Sequence, residues 1–202
     1  KHNNLAEATR FLGNRLFSDY GLVIVDGNDV ELKKEFVPFV EKELTESLSY
    51  KTITETTAGL KALGYPEQVY PREINLFYLA EGIRERIIEE EGSYYVNDTD
   101  LVFSKDEILK EAKENPQNFS PNALLRPLYQ EAILPNLCYV GGGGELAYWF
   151  QLKDYFERVQ VTFPILLLRN SVLLVPSRYS EKLKKLHANI ESLFLPKHEL
   201  EA

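Results

Sequence analysis

Three short runs, LVIV at 22–25, LCYV at 137–140 and FPILLL at 163–168, are apolar almost throughout, and each ends at a polar or glycine corner. A strand with one buried face alternates apolar and polar residues. A strand apolar on both faces must be covered on both, as parallel strands between helices are. The corners are Asp26-Gly27, the four glycines 141–144 followed by Glu145, and Arg169-Asn170-Ser171. Helical periodicity lies between the runs, so strand and helix alternate. That order implies an α/β chain with a Rossmann-like parallel sheet and right-handed crossovers. Open parallel sheets take ligands beyond the carboxyl ends of their strands, where these three corners fall.

The remaining segments follow local rules. Residues 4–18 carry apolar side chains at helical spacing, and Asn28 or Asp29 can cap a helix reaching about Leu48, with Pro38 expected to bend or break it. A Thr-rich helix is expected at 54–63. Short apolar or alternating runs at 74–79, 83–88, 94–96 and 101–103 are separated by Glu81-Gly82, Gly92-Ser93 and Asn97-Asp98, the chemistry of a small antiparallel meander. Ser104 and Glu107 match a capping box. Ser120-Pro121 reads as a helix start with the helix running to about Leu134, followed by helix 145–158, a further apolar run at 172–175 and a last helix at 179–194. The expected organisation is thus a core segment 1–27, an inserted helical and antiparallel-β connecting subdomain 28–118, the rest of the core at 119–178, and a terminal helix 179–202.

Composition removes several classes of function. A formal charge of −8 disfavours a phosphate backbone, so no nucleic-acid partner is expected. No apolar run approaches the length of a membrane helix, and no membrane partner is expected. The lone cysteine, Cys138, excludes an internal disulfide framework and suits the cytoplasm; inside a strand it reads as a small core residue. His2, His187 and His198 have no metal-ligand spacing, and no metal is expected. An apolar helical pattern is already under way at Leu5, methionine is absent, and the chain closes just after a helical pattern, as a central piece of a longer protein would.

The strongest local signal is Gly141, Gly142, Gly143 and Gly144 between strand and helix. Such glycines let a ligand approach backbone N–H groups, and the helix N-terminus beyond them favours an anion; the alternative is a flexible tight turn. No Gly-Lys-Ser/Thr follows, and Leu146 stands where a dinucleotide fingerprint needs its third glycine. Glu145 is either a cap or a substrate contact, and Tyr148 lies near enough to stack on or hydrogen-bond a ligand. Asn122, Arg126 and Gln130 recur at spacing four, and Pro127 is expected to distort their helix. Arg126 would bind a carboxylate or phosphate through its guanidinium, or pair with Glu131. Arg169, Asn170 and Ser171 form either an ordinary turn or a substrate corner. No catalytic base can be assigned, and no Gly-x-Ser-x-Gly elbow exists.

Taken together, FSPNALLRPLYQE at 119–131 and LPNLCYVGGGGELAYW at 134–149 resemble signatures of the cysteine-adding enzymes of bacillithiol biosynthesis. FPILLLRNS at 163–171, GLVIVD at 21–26 and REINLFY at 72–78 are similar too. The resemblance implies a Rossmann-type core with inserted connecting domains, and a C-terminal coiled coil that forms a homodimer of a much longer protein. It also implies addition of cysteine to the amine of glucosaminyl-malate, with no permanently bound cofactor and a nucleotide such as ATP as the possible activator. Two other readings are another Rossmann-type enzyme, such as a sugar-nucleotide transferase, and a non-catalytic nucleotide-binding module.

Overall fold

In the computed structural model, which describes residues 2–200, helix α1 (Leu5–Phe17) starts where the Asn4 side chain accepts the Glu7 N–H. A single 3₁₀ turn then closes on Gly21 at φ 77°. Residues 22–25 follow without regular secondary structure: no ladder pairs them, and Val23 and Val25 lie exposed. The strand expected there is therefore a correction. A parallel strand needs a hydrogen-bonded neighbour, and none of the described residues supplies one. Only Ile24 is partly covered, because α1 passes so close that a methyl on Gly13 would lie 2.5 Å from its Cδ1.

Helix α2 (Val30–Glu46) is capped by Asp29, whose carboxylate accepts the Glu31 and Leu32 N–H groups. Pro38 does not break it. An interior proline costs about 3 kcal/mol, and burial of Phe36, Val40 and Leu44 on one face offsets that loss. Ser47, held at φ 48°, turns the chain directly into α3 (Leu48–Ala62), which begins earlier than the sequence pattern suggests.

The meander forms as alternation dictates. Strands β1 (Leu76–Ala80), β2 (Ile83–Glu90), β3 (Ser93–Val96) and β4 (Val102–Ser104) pair in sequence order, all antiparallel. Ser104 and Glu107 close a capping box on α4 (Lys105–Glu114). A fifth strand, β5 (Phe119–Pro121), joins the free edge of β1, giving the order β4-β3-β2-β1-β5. The expected helix start at Ser120-Pro121 is thus corrected: those residues pair with Phe77 and Leu76. Helix α5 (Arg126–Ile133) begins later, with Pro127 in its first turn. There a missing N–H costs no helical bond, so the anticipated distortion disappears.

Among the described residues, parallel pairing is confined to β6 (Cys138–Gly141) and β7 (Ile165–Leu168), joined by α6 (Gly143–Arg158), with Gly141 opposite Leu168. The chain is α/β, yet its main sheet is antiparallel, not the parallel core that the apolar runs suggest. One face of the parallel pair carries Tyr139 and Leu166, which pack against the core with Trp149, Leu152 and Phe156 of α6. The opposite face leaves Val140, Ile165 and Leu167 exposed.

By its contacts the chain divides into Lys1–Leu168 and Arg169–Ala202. In the second unit α7 (Ser177–Lys185) buries no residue, and α8 (Lys197–Leu200) follows a 3₁₀ turn. The single helix expected at 179–194 is interrupted by His187 at φ 55°, and 172–175 forms no strand.

Polar groups inside the first unit clamp these elements. Fully buried Glu43 of α2 accepts at Oε1 from Ser49 Oγ (2.7 Å) and from Asn75 N (2.8 Å) and Nδ2 (3.2 Å). Asn75 in turn accepts at Oδ1 from Arg72 N and Asn122 Nδ2. On α6, buried Gln151 accepts the Gln68 and Val69 N–H groups and donates to Thr57 Oγ1 of α3. Buried Lys33 donates to the Gln117 and Phe119 carbonyls, and burial pulls its pKa down to about 8.

Burial raises the Glu43 carboxyl above the ordinary range, with its hydrogen bonds pulling the other way. The native state therefore binds a proton that the unfolded state has released, and stability falls as pH rises from the unfolded value through the raised one. Glu43→Ala strands the Ser49 hydroxyl and the Asn75 backbone N–H and should cost about 2–4 kcal/mol in urea unfolding. Glu43→Gln should cost less and flatten the fall of stability with rising pH; an unchanged slope would remove Glu43 as its source.

Candidate functional site

The glycine run forms the turn from β6 into α6. Gly142, at φ −72° and ψ 162°, is the N-cap, and its N–H donates to Glu145 Oε2 at 2.9 Å. Glu145 therefore caps its own helix, and its carboxylate is only half-buried. None of glycines 141–144 adopts a positive φ, so backbone conformation does not require them. Their reasons differ. A methyl on Gly141 would lie 2.5 Å from Tyr139 Cε1 and 3.2 Å from Leu146 Cδ2, whereas Gly143 and Gly144 are exposed and face open space.

Tyr139 is the residue that sequence reasoning treated only as strand filler. Its ring stacks on Trp149 with centroids 4.3 Å apart and lies against the Cα of Gly141, so it supports the turn from below. Burial raises its phenol pKa, and the nearby Glu145 charge adds to the shift. Trp149 is buried, and its Nε1 has no hydrogen-bond partner. Tyr148 is half-buried against the core. A pairing of Tyr139 with Gly141 two residues on is visible in sequence, but only coordinates reveal that the ring folds over the glycine.

The Asn122, Arg126 and Gln130 stripe comes apart in the structure. Asn122 precedes α5; its Oδ1 accepts the Leu124 and Leu125 N–H groups while its Nδ2 holds Asn75. Gln130 donates to Glu131 Oε1. Buried Glu131 is occupied by Asn136, which donates its backbone N–H at 2.9 Å and its Nδ2 at 3.0 Å, clamping the turn into β6. Arg126 therefore does not pair with Glu131. It is exposed at the first position of α5, with no ion pair or side-chain hydrogen bond among the described residues.

Three residues on, Tyr129 donates its OH to the Gly27 carbonyl at 2.9 Å, which ties the Asp26-Gly27 corner to α5. Burial raises its pKa to about 12, helped by Asp29 and Asp26. No sequence signal announces this link across more than a hundred residues. Arg169, Asn170 and Ser171 are exposed and open the second unit directly after Leu168. Among the described residues no group of three His, Cys, Asp or Glu side chains is placed to hold a metal, and no helix is long and apolar enough to cross a membrane.

The Glu145 carboxylate takes up the Gly142 N–H, while the Gly143 and Gly144 N–H groups of the first turn stay available to an anion; separately, Arg126 at the start of α5 carries an unpaired guanidinium. Gly141→Ala must displace the Tyr139 ring and should lower stability by about 1–3 kcal/mol, whereas Gly143→Ala and Gly144→Ala should be neutral or slightly stabilising. Thermal melts of the three variants test this; equal losses in all three would deny that Gly141 is the tight position.

Residues 1–170 match a family model described as "Bacillithiol biosynthesis BshC, N-terminal Rossmann-like domain". The chain is 56% identical over 200 residues to a protein of Christiangramia forsetii and 54% identical over 200 residues to one of Flavobacterium johnsoniae. It is 36% identical over 195 residues to one of Shouchella clausii. All three carry the name "Putative cysteine ligase BshC". The matches cover 99%, 99% and 94% of this chain, which spans 37%, 37% and 36% of those relatives.

Proposed function

The chain belongs to the BshC family of bacillithiol biosynthesis, and on that footing we propose that it is part of a ligase joining cysteine to glucosaminyl-malate. In this reading an oxygen of the cysteine carboxylate takes a phosphoryl group from a nucleotide such as ATP, used as a co-substrate and not permanently bound, and the nucleoside diphosphate leaves. The uncharged amine of glucosaminyl-malate then attacks the activated carbonyl. A C–N bond forms, the activated oxygen leaves with its phosphoryl group, and the amine gives up a proton to a general base. The setting is the cytoplasm, and the whole protein is a homodimer through a C-terminal coiled coil. Nucleic acid, membrane and metal have no part in it.

We assign the α6 N-terminus to an anionic group of the reaction, either phosphate or substrate carboxylate. The observation that carries this is the open space over Gly143 and Gly144, where neither backbone conformation nor packing calls for glycine. A side chain there would fill the approach to the helix N–H groups. Arg126, unpaired at the start of α5, would balance negative charge during activation. Tyr139 and Trp149 hold the turn in place. The parallel pair β6 and β7 would belong to a larger Rossmann-like sheet: their uncovered apolar face has the character of a sheet missing its second layer of helices.

In the full-length protein, Arg126→Ala should lower kcat/KM for bacillithiol formation at least about thirtyfold, or about 2 kcal/mol, without moving the melting temperature. Gly144→Val should produce a similar loss. Wild-type rates in both variants, with glucosaminyl-malate, cysteine and ATP supplied, would remove this turn from the reaction.

A further inference from the structure

A second set of charged groups lies away from the glycine turn. An open groove of about 460 Å³ runs between the turn at 71–74, Tyr50 of α3 and the 86–90 stretch of β2. Its lining includes the apolar Pro71, Ile74, Ile87 and Ile88. Its exposed rim carries Arg72 and Glu73, and from β2 Arg86 and Glu90 on one face of the strand and Glu89 on the other.

Opposite charges gathered on one rim would ordinarily pair, but here they do not. Neither guanidinium has an ion pair or side-chain hydrogen bond among the described residues, and Glu73 and Glu90 are equally free. Glu89 uses Oε1 on the Gly92 N–H. Neighbouring Arg84, by contrast, is held over the Phe77 ring at 4.0 Å.

The two arginines stand on rigid supports. Arg72 is gripped on both sides by Asn75, which accepts the Arg72 N–H at 3.1 Å and donates to its carbonyl at 2.7 Å. Asn75 is fully buried and is itself fixed by Glu43 and Ser49. Arg86 is paired across the sheet with Phe77, and its carbonyl accepts the Asn97 N–H at 2.8 Å. Two free guanidiniums on preorganised backbone fit a carboxylate, while the surrounding glutamates repel a purely anionic ligand and attract an ammonium. We infer that this groove binds a small zwitterion carrying both a carboxylate and an ammonium group, with Arg72 and Arg86 on the first and Glu73 and Glu90 on the second, Glu90 sharing the β2 face of Arg86. This assignment does not rest on the ligase reading.

Calorimetric titration of the full chain with L-aspartate, succinate and propylamine tests it, since aspartate and succinate differ only in the amine. Aspartate should bind at least about tenfold more tightly than either of the others, a gap of about 1.4 kcal/mol. Arg72→Ala/Arg86→Ala should lose aspartate binding, and Arg86→Ala alone, exposed on a paired strand, should weaken it if the double variant fails to fold. Glu73→Gln/Glu90→Gln should move the preference toward succinate. Equal affinity for aspartate and succinate in the parent chain, aspartate binding untouched by Arg86→Ala, or no aspartate binding at all would overturn the proposal.

Discussion

A carboxylate buried without a cation is the constraint on which the rest of the first unit turns. Glu43 sits at zero exposure among Ser49 and Asn75, and three hydrogen bonds to one of its oxygens offset the desolvation. Through them α2 is tied to the start of α3 and to the entry of β1. Asn75 extends the tie to Arg72 on one side and to Asn122 on the other. Asn122 caps the turn that delivers α5, and the Glu131–Asn136 clamp at the end of α5 delivers β6. A chain of buried polar contacts thus links the connecting helices and meander to the strand that carries the glycine turn. The same contacts run from Glu43 through Asn75 to Arg72 on one side and to Asn122, ahead of α5, on the other.

The glycine turn illustrates how one motif can hold residues with different reasons. Gly141 answers to packing, because Tyr139 occupies the volume a side chain would need. Gly142 serves as cap, and Glu145 satisfies its N–H. Gly143 and Gly144 answer to nothing inside the described chain. Openness at a helix N-terminus, next to an aromatic pair that fixes the turn, is what an anion-binding element requires.

Local chemistry was legible wherever the cause was local. The Ser104–Glu107 capping box, the Asp29 cap and the meander turns all formed as their residue types demand. The turn at 141–144 and the helix after it were likewise readable, because a glycine run between strand and helix has few conformational options. What failed depended on neighbours distant in sequence. Residues 22–25 have strand character but no partner here, and Ser120-Pro121 has the look of a helix start but is claimed by the edge of β1. The polar stripe of Asn122, Arg126 and Gln130 satisfied helical spacing, yet two of its members were taken by Asn75 and Glu131. Spacing identifies which residues share a face, and it does not reveal which of them the fold will consume.

An anionic group of the reaction seated at the first turn of α6, as proposed, would cover the N–H groups there. Hydrogen–deuterium exchange of the full-length protein, with and without ATP and glucosaminyl-malate, tests it directly on the backbone N–H groups of residues 142–148. The account predicts slowed exchange in that segment when the ligands are present. Unchanged exchange there, alongside protection elsewhere in the same protein, would contradict it.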